Sequence, residues 1–80
     1  MKIPAIKKLV ESYTIAQLKT AEENLLEEEN MGIEVEGSDE GEILTHIIAA
    51  VWILEEMKSK DLEFKEALRE YTKKVRESIS

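Results

Sequence analysis

The sequence predicts an all-α fold, a compact bundle of about four helices, two short or medium ones first and two longer ones after, with an acidic extended connection between helices two and three. Three observations carry this expectation. Apolar residues recur at three- and four-residue spacing in four separate runs, which is the signature of helices with one buried face. Turn material is scarce, with one proline and three glycines in 80 residues. There is no cysteine, so neither disulfides nor a thiolate metal site can supplement a small core, and helix packing or self-association must do so. A chain this short is read as a single helical domain over residues 1–80.

The first helix is expected over about residues 3 to 12, where Ile3, Ile6, Val10 and Tyr13 form a stripe and Pro4 suits a first turn. Continuing it would turn the next apolar group, Ile15, Leu18, Ala21 and Leu25, by roughly a third of a turn at ~100° per residue. The helix must therefore break near Ser12 to Thr14. Thr14 followed by Gln17 has the spacing of a capping box, so helix two is expected from about Ile15 to Glu29. Asn30, Met31 and Gly32 then read as its stop, with Gly32 suited to a left-handed backbone.

Ile33, Glu34, Val35 and Glu36 alternate apolar and acidic residues and are expected to be extended, as a loop arm closed by Gly37. A lone strand cannot satisfy its own backbone, so pairing with the same segment of another copy is the alternative. Ser38 or Asp39 should cap helix three, with Glu40 and Glu42 in a first turn that favours negative charge. That helix, about Asp39 to Lys60, carries a broad apolar face of Ile43, Leu44, Ile47, Ile48, Ala50, Val51 and Leu54. Trp52 and Ile53 project outside the face, so the helix must be covered from several sides, by the other helices or by a second chain. After Asp61 and Leu62, helix four sets Phe64, Leu68, Tyr71, Val75 and Ile79 in one stripe.

Composition narrows the function. With 42% apolar and 36% charged residues the chain is too apolar for disorder and too charged for a membrane protein. The longest apolar stretch, Ile43 to Leu54, is interrupted by Thr45 and His46 and is far short of the ~20 residues of a bilayer crossing. The start has no apolar run or small-residue cleavage site behind its charge, and a cytoplasmic protein is expected. A formal charge of −7 would repel a phosphate backbone, so nucleic acid is not expected as a partner.

Eight acidic and no basic residues lie from Glu27 to Glu42, while Lys65, Arg69, Lys73 and Arg76 line one flank of helix four. These read as solvated faces, complementary within or between chains. A sharper reading makes Glu27, Glu28, Glu34, Glu36, Asp39 and Glu40 a docking surface for a basic protein. The alternating oxygens from Glu34 onward do not make a calcium loop, because Asp39 stands where the sixth position needs glycine and Thr45 where the twelfth needs glutamate. His46, the only histidine, follows Glu42 by one turn. One histidine and one carboxylate do not complete a zinc or di-iron ligand set, and an ordinary helix-surface or interface histidine is expected, with no metal. The serines lack a glycine-flanked elbow, and the isolated glycines make no phosphate loop. Neither an enzyme nor a cofactor is expected.

The opening Met-Lys-Ile-Pro-Ala-Ile-Lys-Lys-Leu, the central Gly-Glu-Ile-Leu-Thr-His and the closing Ala-Leu-Arg-Glu-Tyr-Thr-Lys-Lys-Val-Arg-Glu-Ser-Ile resemble a family of short uncharacterised bacterial proteins, a domain of unknown function. The resemblance spans nearly the whole chain and implies a stand-alone helical domain without adding a site. The function expected from the residues is that of a non-enzymatic helical interaction module, a homodimer in contact through Ile43, Ile47, Val51, Trp52 and Ile53, with Trp52 as an aromatic anchor. Two alternatives remain: a small-molecule or metal binder with a pocket near His46 and Tyr71, and the acidic adaptor above.

Overall fold

A computed structural model describes residues 2–79, without side-chain placement for residues 78 and 79. It has four helices: α1 (Ile3–Ser12), α2 (Ile15–Leu26), α3 (Glu40–Lys60) and α4 (Phe64–Ile79). Among the described residues there is no strand, and residues 33–36 form the expected loop arm. α3 is the hub, and α1, α2 and α4 each pack chiefly on it.

Each boundary has a local cause. Lys2 offers no side-chain cap to α1, and its carbonyl instead accepts from the Ala5 and Ile6 amides at 3.1 and 3.2 Å. The break at Tyr13 is extended, and Thr14 starts α2 with both bonds of the capping box: Gln17 N–H donates to Thr14 Oγ1 at 3.2 Å and Thr14 N–H to Gln17 Oε1 at 2.9 Å. The other end of α2 differs from expectation. It stops three residues early, because Glu28 takes the left-handed conformation (φ 59°) while its amide bonds the Leu25 carbonyl and the Glu29 amide bonds that of Asn24. This pair of bonds defines a Schellman ending, for which glycine is the usual residue. Gly32 is also left-handed (φ 78°), but it shapes the following loop, where its amide bonds Asn30 Oδ1 at 2.9 Å. Asp39 caps α3 by accepting from the Glu42 amide at 2.8 Å, and left-handed Asp61 (φ 53°) ends it.

The core is built from Ile6, Leu9 and Val10 of α1, Leu18 and Ala21 of α2, Ile47, Ala49, Ala50, Val51 and Ile53 of α3, and Ala67 of α4. Alanines at the helix contacts let backbones approach, and the larger residues fill the spaces between. Burying one such Ile or Leu contributes about 1.5–3 kcal/mol, so these few side chains dominate the stability. Ile33 and Val35 of the arm pack against this core while Glu34 and Glu36 face solvent, which explains the alternation without a partner strand. Gly37 lets the arm come close to α3: a Cβ there would meet Ile43 Cγ1 at 2.6 Å and Ile43 N at 3.0 Å.

Two faces are turned relative to the sequence reading. On α3 the buried arc runs through His46, Ala49, Ala50 and Ile53, leaving Leu44 half-buried and Ile48 44% exposed. At ~100° per residue this moves the buried centre by roughly a quarter of a turn. On α4 the fully buried residue among those described is Ala67, with Phe64, Leu68 and Tyr71 half-buried, so Val75 lies at the edge and is 36% exposed. The side chain of Ile79, the last member of the expected stripe, lies outside the described residues.

Candidate interaction surface

The interface residues expected from sequence fall into two groups. Ile47 and Ile53 are fully enclosed by the chain itself and Val51 is nearly so. A second chain could reach them only if the helices parted. Ile43 is half-buried beneath Gly37, and Trp52 is half-buried under α4. The Trp52 ring lies 5.5 Å from that of Tyr71 at a tilt of 55°, with Lys74 Nζ 5.4 Å above it. Tilted rings and a cation over an indole face are both favourable, so Trp52 fastens α4 to α3. Partial burial there also raises the pKa of the Tyr71 hydroxyl.

Below this contact, Lys60 Nζ approaches Glu56 Oε2 at 2.9 Å and Glu70 Oε2 at 3.3 Å, joining α3 to α4. Contact with the Lys60 ammonium holds the Glu56 carboxyl below its ordinary value, and the two carboxylates raise Lys60.

His46 is the clearest departure from the sequence reading. It is fully buried, not a surface or interface residue. Its Nδ1 is 2.7 Å from the Glu36 carbonyl and its Nε2 accepts the Lys2 amide at 3.0 Å. A carbonyl only accepts and an amide only donates, so the ring is the neutral tautomer with its proton on Nδ1. His46 thereby ties the start of α1 and the end of the acidic arm to the middle of α3. Both nitrogens are occupied by main chain, which leaves neither for a ligand. Tyr71 faces α3 beside Trp52, so it and His46 have different neighbours and do not frame one pocket. Among the described residues no three His, Cys, Asp or Glu side chains gather as a metal site would require.

The acidic residues lie where the sequence puts them, exposed around one end of the bundle. Glu27 and Glu28 end α2, Glu34 and Glu36 alternate along the arm, and Asp39 and Glu40 begin α3. Asp39 is already engaged as the cap. Between the end of α2 and the start of α3 lies a groove of about 280 Å³, formed by Leu25, Leu26, Gly41 and Leu44 with Glu28 and Glu40 beside them. Leu26 is 65% exposed. The outer face of α4 carries a second, shallow groove of about 590 Å³, where Lys65, Arg69, Lys73 and Arg76 surround Leu68 and Thr72. None of the four cations forms an ion pair within the chain among the described residues.

The model of the family of unknown function DUF6952 matches residues 1–80. The chain belongs to that family. No curated protein and no solved structure matches the chain. The family is one of unknown function and assigns no residue roles. No helix among the described residues is long and apolar enough to cross a membrane.

Proposed function

We propose that the chain is a non-enzymatic helical interaction module that works in the cytoplasm and assembles with a second copy of itself. The observation that supports this reading is apolar surface left over after the bundle is complete. Leu26, Ile3, Ile48 and Val75 remain 65%, 50%, 44% and 36% exposed. Singly exposed apolar residues are ordinary, but a grouped set marks a binding surface. Leu44 and Ile48 occupy successive turns of α3, and Leu26 shares a groove with Leu44. His46, the one fully buried titratable side chain among the described residues, spends both ring nitrogens on main-chain bonds, which favours a structural over a catalytic role.

Light scattering across a concentration series tests the proposal. The expected mass is that of two chains at high concentration, and Ile48→Asp is expected to weaken the association while leaving the helical circular dichroism intact. A single-chain mass at every concentration would retire the reading. A second reading, an acidic docking surface for a basic partner, is favoured by the exposed carboxylates of residues 27–40, which form no ion pair among the described residues. Such a contact would weaken sharply with added salt.

A further inference from the structure

We infer that the cationic outer face of α4 in one copy seats on the acid-rimmed groove between the end of α2 and the start of α3 in a second copy, and reciprocally. This deepens the self-association reading and rests on it. The two surfaces are built alike with opposite sign. On α4, half-buried Leu68 and exposed Val75 are seven residues apart, two turns of one helix edge, and Lys65, Arg69, Lys73 and Arg76 line the groove beside Leu68. In the groove, Leu26 and Leu44 provide the apolar floor, with Glu28 and Glu40 beside it and Glu27 on the adjoining turn. An apolar centre with a polar rim is the usual anatomy of a protein interface, and here the rims are complementary.

Among the described residues the two sets of charges form no ion pair with each other inside one chain. α4 packs chiefly on α3 and presents its cation row to solvent, while the carboxylates gather at the end formed by α2, the arm and α3. Bringing a second copy to this face pairs both sets at once. A two-fold arrangement uses the contact twice and closes, which gives a dimer and no open chain. The leucines and Val75 supply most of the affinity, and the charges set orientation and exclude other pairings.

Charge exchange tests the inference. The variant pairs are Arg69→Glu with Lys73→Glu on α4 and Glu28→Lys with Glu40→Lys at the groove, each measured by light scattering with circular dichroism as a check on folding. Each double variant alone is expected to bind itself at least tenfold more weakly than the wild type. An equimolar mixture of the two should recover the wild-type mass, because both contacts of the mixed dimer regain opposite charges. Dimers that persist in each variant alone would overturn this contact and leave self-association through another surface. A mixture that remains single chains would also overturn it. A wild type that is a single chain at all concentrations would remove the parent reading as well. Should the lysine pair disturb the helix start, Glu28→Gln with Glu40→Gln replaces it, and the expected result is loss of most of the salt dependence of the wild-type dimer. An unchanged salt dependence would count against the contact.

Discussion

His46 shows how much one side chain organises. Its ring bridges an amide 44 positions before it and a carbonyl 10 positions before it, both otherwise part-buried. Replacing it by leucine keeps bulk but strands both main-chain groups, and each unsatisfied buried group costs about 1–3 kcal/mol. His46→Leu is therefore expected to lower stability by roughly 2–4 kcal/mol in a urea titration, with the loss seen first as faster amide exchange at the start of α1 and along the arm. Nitrogen NMR of the wild type should find the proton on Nδ1 and a bare Nε2. The opposite tautomer would contradict the bonding described here. The residue was illegible in the sequence because a periodicity count scores histidine as polar, and its two partners are main-chain atoms that no residue pattern displays. Gly37 was legible only as a turn. Its actual role is space for Ile43, which is a fact of the tertiary approach.

At the scale of helices, periodicity and capping chemistry located all four elements, and the Thr14–Gln17 box formed with both of its bonds. Those signals are local, so they survive without knowledge of the fold. What they missed depends on neighbours. The apolar stripe of α3 is wider than any one contact, so its buried centre was decided by where the other helices and the arm lie. That shift left Ile47, Val51 and Ile53 inside and Ile48 outside. The early end of α2 was hidden for a different reason: Glu28 adopts a left-handed backbone that glutamate seldom takes, in a run of glutamates with no glycine among them. Relieving that strain is worth about 1 kcal/mol, offset in part by the greater freedom of glycine in the unfolded chain. Glu28→Gly is accordingly expected to leave the fold intact and raise the thermal midpoint slightly. A clear fall would show that the Glu28 side chain contributes more than its backbone strain removes.

For the whole molecule, α4 is the element held least by its own core burial. Ala67 is its one fully buried side chain among the described residues, and half-buried Phe64 and Leu68, Trp52–Tyr71 packing, Lys74 over the indole and the Lys60 bridge add to its attachment. This arrangement gives stability a pH dependence of definite sign. Glu56 has a lowered folded-state value, so its contribution is complete above the unfolded carboxylate range and is lost as pH falls through the lower folded value. Lys60 and Tyr71 are both raised, so theirs is complete below their unfolded values and is lost as pH rises through the folded ones. Thermal midpoints should be flat near neutrality and decline on both sides. Glu56→Gln should flatten the acid limb specifically, and an acid limb unchanged by that substitution would assign it to other carboxylates.

The bonding of His46 also determines which substitutions this part of the fold would notice. Both atoms it holds belong to the peptide backbone, so almost any side chain at positions 2 and 36 leaves the tie in place, and only proline at position 2 deletes its donor. Three distant segments thus depend on the identity of a single residue. Two of the three positions are free to drift in character and take up other surface duties, whereas the third has no substitute that both accepts at one end and donates at the other across the same span.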